Sequence, residues 1–291
     1  MITASPSRIW MRCRCSWPPN CPSCRWIYCR RCMAADNLFS PRYIVPMQFT
    51  DTAVIVRLDP YGEQDALVSA FGRQQGLIRG MARRAFSSKQ RGIFCLGNTI
   101  ELEWSARLEE HLGNLKAELL APGGAVIMGH RQRCYALQAM CALISMSFEQ
   151  RDPHPAMFKA TELLVESMRF DLPWQADYAR FEAILLRETG FGLGLERCIA
   201  SGNTQNLAYI SPKSGCAVSA EAGAPYAQKM LPFAPLLLEE MHVKASPEAV
   251  QSALKVTGFF LERWLCAAHE KQLPDARGRL MRALGKEAEA V

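Results

Sequence analysis

Residues 52–80 read TAVIVRLDPYGEQDALVSAFGRQQGLIRG, and their reading decides the fold. Thr52–Leu58 is β-branched and apolar, and Asp59-Pro-Tyr-Gly62 has the chemistry of a turn. Ala66–Phe71 and Gly76–Gly80 are two further short apolar runs, with Gly72-Arg-Gln-Gln75 between them as a hairpin loop. Downstream, Ile100-Glu-Leu-Glu-Trp104 alternates strictly, and Leu115-Lys-Ala-Glu-Leu119 repeats the device. Five short strands with no long helix between them predict a small, partly closed antiparallel β-barrel of the OB type over residues 47–122. An SH3-like barrel has the same strand count. Trp104 falls on the apolar face of its strand and is expected in the core.

The period changes after Ala121-Pro-Gly-Gly124. Cys134, Leu137, Cys141, Ile144 and Phe148 recur at helical spacing, Phe158–Met168 and Tyr178–Leu186 follow, and Ser246-Pro247-Glu248 opens another helix with an N-cap serine and a proline at its first position. The class is therefore α+β and multidomain, with a barrel followed by a helical domain over 125–291. That domain is interrupted by a Gly/Ser/Pro-rich excursion at 190–230, too long for an ordinary helix connection. Within it, Gly190-Phe-Gly-Leu-Gly194 has the glycines of a dinucleotide loop but follows a helix instead of a strand, so it reads as a helix C-cap and turn.

Charge is unevenly distributed. The chain has a formal net charge of +6, yet residues 1–46 alone carry seven arginines and one acid, leaving 27 basic and 27 acidic residues in the remainder. Global basicity is thus no argument for a polyanionic ligand. The leader also holds six of the twelve cysteines, including Cys21-Pro-Ser-Cys24 and Cys29-Arg-Arg-Cys32. Only four residues separate these pairs, whereas zinc ribbons place about 15–20 between theirs. Its Arg/Cys/Trp/Pro/Ser composition suits an unintended translation of GC-rich DNA. The expectation is a non-native or disordered extension, ahead of a small metal module or a targeting segment, with Met47 as a natural start. Scattered cysteines and the absence of a secretory signal point to a cytoplasmic setting. No run of about 18 apolar residues suggests a membrane span.

What remains is local. Residues 71–91, FGRQQGLIRGMARRAFSSKQR, carry Arg73, Arg79, Arg83, Arg84, Lys89 and Arg91 and no acid. Cations on strand three and the loop after it, interleaved with Phe71 and Phe86 as stacking candidates, suit a surface that takes phosphates and unstacked bases. Acids Glu101, Glu103, Glu109, Glu110 and Glu118 follow. The five histidines are dispersed and belong to no catalytic pattern, so an enzyme is not expected.

Ala53-Val-Ile-Val56, Tyr61-Gly-Glu63, Gly76-Leu-Ile-Arg-Gly80 with its basic sequel, Leu186-Arg-Glu-Thr-Gly190, Cys198 and Tyr209-Ile-Ser-Pro212 occur in an order and spacing that resembles the RecO family of bacterial DNA repair proteins, from Met47 onward. The resemblance implies an OB domain followed by a helical domain. It also implies binding of single- and double-stranded DNA, annealing of complementary strands, and action with RecR in loading RecA onto DNA coated by single-strand binding protein, whose acidic C-terminal tail the family binds. Association with the nucleoid in the cytoplasm follows from that role. Many relatives carry two C-x-x-C pairs in the excursion that bind zinc. Here Ser201 stands where the partner of Cys198 would be, and Cys216 is left near Ser219, so no zinc and no other cofactor are expected. A protein-interaction adaptor and an RNA-binding OB protein are the alternatives.

Overall fold

The computed structural model describes residues 47–108, 111–238 and 244–288. The reading of residues 1–46 and their C-x-x-C pairs lies outside them. Five strands come first: β1 (Met47–Tyr61), β2 (Asp65–Gly72), β3 (Gly76–Ala82), β4 (Thr99–Ala106) and β5 (Asn114–Ala121). They close into a barrel in the order β1–β2–β3–β5–β4, with β1 paired to both β2 and β4. This is the OB arrangement. One pairing departs from the antiparallel expectation: β3 meets β5 in parallel, through a single register pair, Met81 with Asn114, and a hydrogen bond of 2.9 Å from the Met81 N–H to the Gly113 carbonyl. The reason is topological, since β3 and β5 are separated by β4 and run in the same direction around the barrel.

Alternation along β1 divides its side chains between two cores. Ala53 and Ile55 point into the barrel, where they pack with Ala70, Ile78, Ile100, Leu102 and Trp104. Val54 and Val56 point outward and join Phe71 and Leu77 in the core of the helical region. The continuous apolar run at 53–56 is what a strand buried on both faces requires.

The helical region comprises α1 (Gly124–Ile127), α2 (Arg131–Ser147), α3 (Pro155–Phe170) and α4 (Trp174–Glu188), then α6 (Pro247–Phe260) and α7 (Asp275–Ala288). Between α4 and α6 the excursion forms a three-stranded sheet, β6 (Leu207–Ile210), β7 (Ala217–Ser219) and β8 (Leu231–Pro232), in the order β7–β6–β8, with a one-turn helix α5 (Ala220–Gly223) after β7. Ser246 caps α6 by accepting from the Ala249 N–H at 3.2 Å, and Pro247 occupies its first turn. Gly190 closes α4 at φ +85°, and the Phe191 N–H reaches back to the Leu186 carbonyl at 2.7 Å, the C-cap expected of the Gly190–Gly194 glycines. Among the described residues, no helix is long and apolar enough to cross a membrane.

Two buried charge networks tie the helices together. Arg277 of α7 donates from Nε and Nη2 to the two carboxylate oxygens of Glu182 on α4, at 2.7 and 2.9 Å, and Thr257 of α6 donates to the same carboxylate at 2.5 Å. A side chain at Gly258 would lie 2.8 Å from the Arg277 guanidinium, so glycine there makes room for it. Burial and the Glu182 carboxylate push the Tyr178 phenol well above its ordinary range. In the second network, Arg180 pairs with Asp177 at 3.0 Å, and Ser167 donates to that same carboxylate.

The joint between barrel and helices is organised by Asn98, which is 1% exposed. Its Nδ2 donates to the carbonyls of Gly92 and Ile93, both at 2.9 Å, and its Oδ1 accepts from the N–H groups of Gly123 and Gly124 at 3.0 and 3.1 Å. The Asn98 carbonyl also accepts from the Ile55 N–H at 3.0 Å. The side-chain amide thus meets its full hydrogen-bonding capacity while linking the β3–β4 loop to the entrance of α1. A Cβ on Gly123 would stand 1.9 Å from the Gly97 carbonyl oxygen, which explains a Gly-Gly pair at this point of the chain. Replacing Asn98 by Ala leaves buried backbone groups without partners at this joint, and a loss of about 2–4 kcal/mol of stability is expected in chemical denaturation.

Candidate nucleic-acid interface

The basic segment is an anchored cap at one end of the barrel. After Ala82 the chain makes a series of turns up to Asn98. Ala85 and Phe94 insert into the barrel core. The Arg84 N–H donates to Asp65 at 2.7 Å with Arg84 at φ +56°, the Phe86 N–H bonds the Gln64 carbonyl at 3.0 Å, and Asn98 holds the far end. The apolar anchors face inward, while Arg83, Arg84, Lys89 and Arg91 are exposed. None of these four, nor Arg79, forms an ion pair with another described residue.

The six cations do not share one face. Arg79 lies on the outer side of β3 in register with Ser69 of β2, which is in turn in register with Arg57 of β1. Arg57 and Arg79 border a crevice of about 470 Å³ whose other wall is Ser145, Phe148, Glu149 and Gln150. Arg83 faces the other way, into a groove shared with Glu101, Glu103, Lys116 and Glu118. Arg73 is committed to the helical region: its guanidinium lies 3.3 Å from Glu162 of α3 and 5.2 Å from the Phe158 ring centroid.

The aromatic candidates separate as well. Phe71 is fully buried, packs with the helical core and stacks against Phe148 with ring centroids 5.3 Å apart. It cannot receive a base. The expectation for it is corrected, because on this face of β2 Phe71 meets Phe148, at the C-terminal end of α2, instead of solvent. Phe86 is 37% exposed and keeps a ring face for a ligand. Trp104 is buried, with its indole N–H shared between the carbonyls of Arg79 and Leu112 at 3.0 and 3.2 Å.

Two arginines stood outside the sequence reading. Arg57 is a single cation within an apolar strand, and its relation to Arg79 depends on register. Arg151, between α2 and α3, sits at φ +65° with its guanidinium 4.3 Å from the Phe49 ring and 4.0 Å from that of Trp104. Nothing near Arg151 in sequence marks that stacking.

In the excursion, Cys198, Ser201 and Ser219 come together. The Cys198 sulfur accepts from the Ser219 N–H at 3.2 Å and lies 3.6 Å from the Ser219 hydroxyl. Hydrogen bonding from Ser201, then from Ser219, pushes its thiol down to about 6. Cys198 and Cys216 both line one pocket, which Ser201 and Ser219 do not border. Among the described residues no three His, Cys, Asp or Glu side chains are grouped as metal ligands. A closed zinc site needs four soft or imidazole donors, and neutral hydroxyls at 201 and 219 do not supply them. The residues present do not fit a zinc ion.

With this geometry established, comparison with known proteins is informative. Residues 47–122 match the profile of Recombination protein O N terminal, and residues 128–273 that of Recombination protein O C terminal. The chain belongs to the RecO family. Curated RecO relatives cover most of it. DNA repair protein RecO of Granulibacter bethesdensis is 36% identical over 232 residues, 79% of this chain and 93% of that one. The RecO of Mesorhizobium japonicum is 37% identical over 240 residues, 82% and 94% of the two chains. That of a Ruegeria species is 36% identical over 241 residues, 82% and 99%. The boundary between the two RecO profiles falls at the Gly123-Gly124 joint, and a role in DNA repair and recombination follows from membership.

Two outcomes test these assignments. Phe71→Ala is expected to cost about 3–5 kcal/mol in stability, read by urea unfolding, whereas Phe86→Ala leaves the unfolding midpoint in place. Zinc analysis of purified protein beginning at Met47 is expected to give far less than one ion per chain, and its double variant Ser201→Cys/Ser219→Cys to gain stoichiometric zinc with a four-thiolate charge-transfer spectrum when loaded with cobalt.

Proposed function

We propose that this RecO-family chain binds single- and double-stranded DNA through its barrel, anneals complementary strands, and assists the loading of a RecA recombinase onto DNA coated by single-strand binding protein, acting with RecR in the cytoplasm at the nucleoid. The observation that supports this reading is the set of exposed cations Arg79, Arg83, Arg84, Lys89 and Arg91, without ion-pair partners among the described residues, on an OB barrel. Guanidinium and ammonium groups displayed from an anchored backbone hold phosphates, and each phosphate contact adds a salt-dependent increment to affinity. Annealing requires a strand gripped by its backbone while its base edges stay available. Exposed cations with one partly exposed ring, Phe86, meet that requirement better than deep base pockets would.

The remaining charges are consistent with a protein that works by binding. Glu182 and Arg277 are buried and paired between α4 and α7, and Asp177 and Arg180 are buried and paired within α4, where they hold the fold together. We accordingly assign no catalytic residue. The acidic tail of single-strand binding protein would be the partner recognised by basic groups on the same chain, and an RNA-binding role would appear as preference for RNA in direct competition.

The test is salt-dependent binding and annealing. Arg79→Ala/Arg83→Ala/Arg84→Ala is expected to weaken single-strand binding, to reduce the slope of log affinity against log salt by about 2 for single strands, and to slow fluorescence-monitored annealing. Unchanged affinity and slope would show that the DNA lies elsewhere on the protein.

A further inference from the structure

We infer that Tyr61, at the tip of the β1–β2 hairpin, is a stacking platform for an unpaired base of single-stranded DNA. This assignment rests on the strand-binding reading above and adds a residue that receives a base. Tyr61 is 53% exposed and belongs to neither the barrel core nor the helical core. Its ring and hydroxyl have no hydrogen-bond or ring partner among the described residues. Gly62 turns the chain beside it at φ +65°, and a Cβ there would meet nothing within 4 Å, so the space around the tip is open. A large ring held in water on a well-paired hairpin does no packing for the fold and keeps a free face.

The register aims that ring at the cationic cap. Tyr61 is directly opposite Asp65 in the β1–β2 ladder, and directly opposed residues project from the same face of a ribbon. The Asp65 carboxylate accepts the Arg84 N–H at 2.7 Å, and the Gln64 carbonyl accepts the Phe86 N–H at 3.0 Å. Two bonds thus fix the hairpin tip to the start of the cap, and Tyr61 stands on the side from which Arg84 is held. By alternation Tyr61 also shares a face of β1 with Arg57, whose row continues through Ser69 to Arg79. In OB barrels the face of strands two and three and the loop between strands one and two take oligonucleotides. The tip itself is acidic: Asp59 pairs with Arg57 at 2.6 Å, and Glu63 is exposed. Phosphates are therefore directed to the arginines of β3 and the cap, and the tip takes the uncharged base. Stacking occupies the face of a base and leaves its pairing edge free, as annealing requires.

Fluorescence anisotropy tests this with two labelled strands of equal length and charge, oligothymidylate and an abasic oligomer, on protein beginning at Met47, where the family match begins. Tyr61→Ala is expected to weaken oligothymidylate binding at least about fivefold, with the slope of log affinity against log salt unchanged. Binding of the abasic strand is expected to stay at the wild-type value, and so is the urea unfolding midpoint. Tyr61→Phe, which keeps the ring, is expected to recover the affinity for oligothymidylate. Tyr61→Ala that binds oligothymidylate as wild type does, that loses as much affinity for the abasic strand, or that unfolds at a lower midpoint would each overturn the inference. Those outcomes leave the strand-binding reading standing, because the triple arginine variant reports on it separately. Wild type that binds neither strand would overturn both.

Discussion

The double burial of β1 is the constraint on which the rest of the structure depends. Ala53 and Ile55 complete the barrel interior, while Val54 and Val56 complete the helical core, so one strand is a wall of both. Because side chains alternate with a period of two, a register slip of one residue would exchange these two sets. Each core therefore fixes the register of the other. The bulge between Ile55 and Arg57 marks where the strand turns from one duty to the next, and there the Ile55 backbone bonds Gly97 and Asn98 in place of a regular ladder partner. The cationic cap inherits its position from this strand through Asn98.

The polar groups inside the helical region follow the same economy. Glu182 serves Arg277 and Thr257 at once, so α4, α6 and α7 are locked by one carboxylate. Such a network adds little net stability over apolar packing, but it tolerates few alternative helix arrangements, because a shifted helix would strand a charge in the interior. Geometry among the helices is thereby narrowed by ions, and between helices and barrel by branched aliphatic side chains.

Much of this was legible in sequence. The strands at 52–58, 66–71, 76–80 and 100–104 are short, apolar and punctuated by turn residues, and the Ser246-Pro247 helix start carries its own capping chemistry. What was hidden depended on distance in sequence. Phe71 looked available because it opens the cationic stretch, yet the Phe148 ring, just past the end of α2, covers it. The run from Phe71 to Arg91 looked uniformly positive, yet β4 and β5 bring Glu101, Glu103 and Glu118 back against Arg83. Helix α7, with its polar surface residues, gave a weak apolar signal, and its buried Arg277 reads as a surface cation until Glu182 is placed beside it. Arg57 and Arg79 became neighbours only once the β1–β2–β3 register was known.

The single hydrogen-bonded crossing between Met81 and Gly113 has a dynamic consequence. Every other seam of the barrel is a ladder of several pairs, so thermal opening begins where one backbone bond and the Trp104 indole bond to the Arg79 carbonyl must break. The barrel is thus a clasp with a defined latch. Its breathing separates the sheet edge carrying Lys116 and Glu118 from the strand that carries Arg79, while both stay attached to their own ladders. Amide protons on the two lips of that latch are placed to exchange ahead of the rest of the barrel.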